Sequence, residues 1–176
     1  HEYEDHKVKS LPRLLEIYYK SIGQNSSLLL NFPVDKRGLI HEKDVEQLQK
    51  LAAKVREDFA DNVANGAKAS ATNERGRGFS ASKALDHKTK TYWATEDDVI
   101  QASLTVNFDQ PTTFNRFLVQ EFIALGQRVK AFSLEAQTID GWTEIASETT
   151  IGYKRILRFS DITASAVRLN IKDAKA

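Results

Sequence analysis

Three consecutive leucines, Leu28-Leu29-Leu30, followed by Asn31-Phe32-Pro33, constrain this chain more than any other feature. The run shows no alternation of apolar and polar residues, which predicts a strand buried on both faces, as in parallel sheets. Pro33 ends it, and Lys36-Arg37-Gly38 turns the chain. A helix is predicted on either side. Before the run, Ser10 is the expected N-cap and Pro12 sits in the first turn. Leu11, Leu14, Leu15, Tyr18 and Ile22 then line one face until Gly23 stops the helix. After the run, residues 41–60 carry Val45, Leu48, Ala52, Val55 and Phe59 on one apolar face. Helix, buried strand and helix make a piece of α/β architecture. A single strand forms no sheet, so this one is expected to pair with strands that the chain does not contain.

The texture changes after Phe59. Asp61-Asn62-Val63-Ala64-Asn65-Gly66 is a short polar connection, and beyond it the pattern has period two. Ala102, Leu104, Val106 and Phe108 alternate with Ser103, Thr105 and Asn107. Phe132, Leu134 and Ala136 alternate with Ser133 and Glu135, and Val167, Leu169 and Ile171 with Arg168 and Asn170. Half-buried strands of this kind, separated by signals such as Asp109-Gln110-Pro111 and Asp140-Gly141, predict an antiparallel β-sandwich. Residues 72–98 show little periodicity and are expected to wrap one end of it. The division is therefore residues 1–62, an α/β piece, and residues 63–176, a sandwich.

Composition removes several function classes. Lysine and arginine number 25 against 24 aspartates and glutamates, a net charge of +1, far from the field of a nucleic-acid binder. Cysteine is absent, which excludes disulfide scaffolds, cysteine nucleophiles and thiolate zinc sites. Methionine is absent too, and the chain opens His1-Glu2-Tyr3. It is expected not to begin at a start codon and to carry neither signal peptide nor membrane span. The four histidines, His1, His6, His41 and His87, form no HExxH or close cluster, and no G-x-S-x-G, Walker or dinucleotide fingerprint is present.

Few residues remain as candidates for chemistry. Asn31 ends the leucine run, on the side that faces the active site in α/β barrels; it could equally cap the following turn. Asp86, with loop carbonyls, could hold a calcium ion, or close an Asx-type turn on itself. Arg75, Arg77, His87 and Arg128 have the planar or multi-donor groups that polyol recognition uses, although each by itself fits a solvated loop. Trp93 is expected in the sandwich core and Trp142 in a structural role, which leaves few exposed aromatics for sugar stacking.

Ser21-Ile22-Gly23-Gln24-Asn25-Ser26-Ser27-Leu28-Leu29-Leu30-Asn31-Phe32-Pro33 and Asp35-Lys36-Arg37-Gly38-Leu39-Ile40 resemble the last strand of the catalytic barrel of α-L-fucosidases of glycoside hydrolase family 29. The second texture resembles the discoidin-like (factor 5/8 type C) module that follows the barrel in many bacterial members. Leu85-Asp86, Thr91-Tyr92-Trp93-Ala94, Phe114-Asn115-Arg116, Gly126-Gln127-Arg128-Val129 and Gly141-Trp142 match its pattern in order. The resemblance implies an α/β barrel's last helix–strand–helix over residues 1–62 and a carbohydrate-binding-module-like sandwich over 63–176. It implies a retaining glycosidase that releases terminal α-L-fucose, periplasmic or secreted, needing no cofactor for catalysis. Its partners would be a fucosylated glycan and the rest of the barrel. Retention needs two carboxyl groups about 5–5.5 Å apart, and the family carries both on earlier strands, so no residue here is assigned to either role. Glu2, Glu4 and Asp5 are placed on the loop after strand seven. Structural calcium through Asp86 and Thr91 stays possible, although His87 and Lys88 replace the residues usual at that point. A free-standing carbohydrate-binding or adhesion module, and a sandwich that only buttresses the barrel, are the other two readings.

Overall fold

A computed structural model describes residues 8–175. Glu2, Glu4 and Asp5, with His1 and His6, lie outside the described residues. The chain divides into two compact units, His1–Asn62 and Val63–Ala176.

The first unit is a helical pair with an extended connection. Helix α1 spans Leu11–Ser21, with Ser10 as an extended N-cap and Pro12 in its first turn, where a missing N–H costs nothing. Leu14 and Tyr19 are its buried residues. Helix α2 spans Glu42–Asp58; the His41 ring accepts the Lys43 amide at its start, and Glu42 and Asp44 sit where the helix dipole favours acids. The Tyr19 hydroxyl donates to Asp58 at 2.7 Å and ties the two helices together. The buried residue of α2 is Leu51, whereas Leu48 and Ala52 are exposed. The apolar stripe expected through Leu48 and Ala52 is thus rotated toward Leu51.

The buried strand is not formed. Residues 27–33 make no ladder, and Leu29 is 93% exposed. The physical reason is the one the sequence raises: a two-sided strand needs neighbours, and none pairs with it among the described residues. The turn that follows does form. Asp35 accepts the amides of Arg37 at 2.7 Å and Leu39 at 3.3 Å, Gly38 takes φ +77°, and Val34 bridges Ile40.

The second unit is an antiparallel sheet in the order β1-β2-β5-β3-β4. Its strands are β1 (Lys68–Ala71), β2 (Ala102–Val119), β3 (Val129–Thr138), β4 (Gly141–Glu148) and β5 (Arg155–Ala174). The apolar members of the expected alternation, Leu104, Val106, Phe132, Leu134, Ala136, Val167 and Leu169, are all buried, but Ser133 between two of them is buried as well. Asp140-Gly141 is the β3–β4 turn, with Gly141 at φ +104°. Asp109-Gln110-Pro111, expected to separate two strands, instead lies inside β2 as a register shift between Asn107 and Thr112. A bulge tolerates proline's missing N–H and bends the strand. Leu104 and Val106 before the bulge share one core with Phe114 after it, and Leu157 shares it with Val167 and Leu169. Both halves of β2 and β5 therefore cover the same interior, which makes the sheet a sandwich.

Candidate functional site

The sandwich positions its functional candidates on three connections: residues 72–101 between β1 and β2, residues 120–128 between β2 and β3, and residues 149–154 between β4 and β5. The first is long and irregular, so its backbone must find partners away from any ladder. Asn73 supplies several. Its carbonyl accepts the Trp93 indole N–H at 2.9 Å, and its side-chain oxygen accepts the Glu96 amide at 2.8 Å. Glu74 accepts the Ala81 amide at 2.7 Å. Trp93 packs against the core, as expected of it.

Glu121 organises the other two connections. One carboxylate oxygen accepts the amides of Arg128 at 2.7 Å and Val129 at 2.9 Å; the other accepts that of Gly152 at 2.5 Å. Charge-assisted bonds of this kind are among the stronger ones a loop can make. Phe122 beside it stacks on Tyr92, centroids 4.4 Å apart and planes 11° apart, and Tyr92 meets Phe79 at 5.2 Å. These rings join the connection carrying Arg75, Arg77 and His87 to the one carrying Arg128.

The individual candidates fall as follows. Asn31 is exposed on the unpaired leucine segment of the first unit. Arg75 pairs with Asp97, and Arg77 is exposed on a 3-10 turn, Arg77–Phe79. His87 is exposed at φ +57°. The Arg128 guanidinium donates to the Lys175 carbonyl at 3.2 Å. The connections come together; no hydrogen bond or ion pair links these four side chains to one another among the described residues.

Asp86 accepts the Lys88 amide at 3.0 Å and the Thr91 hydroxyl at 2.8 Å. This is an Asx turn closed by a threonine, and the hydroxyl, ahead of the amide and the Lys83 and Lys88 charges, holds the Asp86 carboxyl below its ordinary range. Calcium takes about six to eight oxygens. No group of three or more His, Cys, Asp or Glu side chains suited to a metal gathers among the described residues.

Two features escaped the sequence reading. Glu121 carries no local signal, because its partners are backbone amides made neighbours only by the fold. The other is the setting of Trp142, expected only in a structural role: its ring is partly exposed and has the Arg168 guanidinium 4.1 Å from its centroid. Arg168 is held by Glu135, at 2.8 Å through Nε, and Glu135 also accepts from Asn170 at 2.8 Å.

A bulged antiparallel sandwich with long loops tied down by side-chain caps is a discoidin-like module. The chain belongs to the F5/8 type C domain family, whose profile matches residues 67–176. It is similar along its entire length to a Bacteroides thetaiotaomicron structure provisionally named an α-L-fucosidase: 39% identity and TM-score 0.95, covering 100% of this chain and 39% of that one. A Ruminococcus gnavus glycoside hydrolase family 29 fucosidase in complex with fucose is 26% identical at TM-score 0.88, covering 95% of this chain and 34% of the other. Alpha-L-fucosidase 1 of Arabidopsis thaliana is 33% identical over 162 residues, 89% of this chain and 32% of that protein. The chain spans about a third of the length of the curated relatives it matches. Among the described residues no helix is long and apolar enough to cross a membrane.

Proposed function

We propose that this chain is the C-terminal part of an α-L-fucosidase of glycoside hydrolase family 29, and that residues 1–62 are the last helix–strand–helix of its catalytic barrel. The observation that carries the reading is the similarity of both units together, at 39% identity, to one fucosidase-like structure of more than twice this length. The unpaired Leu28–Leu30 segment supports the barrel assignment, since a two-sided apolar strand is what a barrel wall uses. Fucosylated glycan is the proposed substrate of the intact protein. Its two carboxyl groups, about 5–5.5 Å apart across the anomeric carbon in a retaining enzyme, belong to the polypeptide outside this chain. The sandwich buttresses the barrel; its capped loops and paired arginines suit a support more than a strong sugar binder.

The test is turnover of an aryl α-L-fucoside. This chain alone releases no aglycone above the uncatalysed rate, while the intact protein does. Turnover by this chain at the intact protein's rate would place the carboxylates within residues 1–176. For the Asp86 loop we propose that the Asx turn is self-sufficient. Its melting temperature then stays unchanged when a chelator is added, and a calcium-dependent rise of several degrees would give Asp86 and Thr91 to an ion instead.

A further inference from the structure

We propose that residues 120–128, with Leu118 and Tyr153, form a preformed docking surface for the polypeptide that this chain does not contain. The inference rests on the fucosidase reading, because that reading supplies the occupant. Leu118, Ile123, Leu125 and Tyr153 are 43%, 40%, 56% and 60% exposed, and all fall at one end of the sandwich. The backbone brings them together: Glu121 N–H donates to the Gly152 carbonyl at 2.9 Å, and the Gln120 side chain donates to the Tyr153 carbonyl at 2.9 Å.

A loop tip open to water is ordinarily polar and mobile. The tip of this one, Phe122-Ile123-Ala124-Leu125, is apolar, and hydrogen bonds tie both of its flanks. Ile123-Ala124-Leu125 forms a single 3-10 turn, entered at Phe122 and left through Gly126 at φ +84°. On the inner side, Glu121 holds three backbone amides from Arg128, Val129 and Gly152, and Phe122 is locked on Tyr92. Glu121 and Phe122 hold the loop to its neighbours, while Ile123 and Leu125 beside them are exposed. Rigid presentation of clustered apolar side chains is the mark of an interface, because the ordering entropy is spent before the partner arrives.

The occupant follows from what is missing. The relatives carry roughly twice as much further polypeptide, in one chain with this part. The Leu28–Leu30 segment of the first unit is already short of that same polypeptide. Exposed Arg128 and half-buried Lys154 flank the patch, Lys154 lying 5.9 Å from the Tyr153 ring centroid. The surface that meets it is therefore apolar with an acidic rim.

The experiment compares this chain with the intact protein, each with and without the paired substitution Ile123→Asp and Leu125→Asp. In this chain the melting temperature stays within about 1 °C, because both side chains are exposed and outside the buried core; in the intact protein it falls by about 5 °C or more. Equal behaviour of the two forms overturns the proposal, whether both fall or neither moves. Hydrogen exchange gives a readout without substitution: the amides of residues 122–127 are at least tenfold better protected in the intact protein, and equal protection overturns the proposal. A dimer of this chain that the substitutions dissociate gives the patch to a second copy and overturns it as well. An intact protein inactive on aryl α-L-fucoside yet protected at the loop would defeat the functional reading alone. An active one with an unprotected loop would defeat the docking surface alone.

Discussion

Glu135 shows what a single carboxylate does on the outer face of this sheet. It takes the Asn170 amide and the Arg168 guanidinium, and so fixes the cation that lies over Trp142. Asn170 first, then Arg168, hold its carboxyl below the ordinary range. A depressed folded value gives stability that is complete above the unfolded carboxylate range and is lost as pH falls through the folded one. Unfolding free energy should therefore decline as pH drops below about 4. Asp35 and Asp86 shift the same way, so the useful quantity is a difference. Glu135→Gln should cost about 1 kcal/mol at pH 7 and flatten the acid limb of a denaturant-derived stability profile. A variant limb parallel to that of the unsubstituted chain would remove Glu135 from the account. Trp93 was legible at this scale, since a tryptophan beside a run of loop residues has few places to go except the core. Glu135 and Glu121 were not. Each sits in an unremarkable polar slot, and its meaning comes from residues 7 to 35 positions away.

Among the elements, those whose pattern is set by one partner could be read directly. The alternations through Leu104 and Leu169 follow one buried face, so period two specified them, whereas β3 also buries Ser133 on its other side. The same signal could not tell a bulge from a turn at Asp109-Gln110-Pro111, because both use residues that leave the ladder. Helix α2 carries Leu48 and Leu51 as neighbours three residues apart, and only packing decides that Leu51 is the one buried. Gly23 was expected to stop α1 through backbone freedom, yet its φ is not left-handed; Asn25 takes that role at φ +62°. The glycine is needed for space: an added Cβ would stand 2.4 Å from the Tyr19 carbonyl oxygen. Gly23→Ala should destabilise the helical pair by about 1–3 kcal/mol, seen as lost ellipticity at 222 nm with the sandwich's near-ultraviolet signal retained. Unchanged helicity would mean that the turn relaxes freely.

For the molecule as a whole, the leucine run that most constrained the fold is also the part least satisfied by it. Leu28-Leu29-Leu30 has the composition of a core, yet Leu29 is 93% exposed and Leu28 and Leu30 are only half-buried, a conflict between local pattern and environment that a self-sufficient domain avoids. The centre of the sandwich has no such conflict: Phe132, Leu134 and Ala136 are fully buried. The two units therefore answer differently to the same perturbation. Leu29→Lys in this chain should leave its melting temperature unchanged and reduce its self-association, since the side chain is already in water. In the intact protein the same change would bury an ammonium in a barrel wall, costing at least the 2–5 kcal/mol or so of a core leucine. Activity on an aryl α-L-fucoside should disappear, along with soluble expression. If the intact protein tolerated Leu29→Lys as easily as this chain does, residues 27–33 would not be a barrel strand. The assignment of the first unit would then rest on similarity alone.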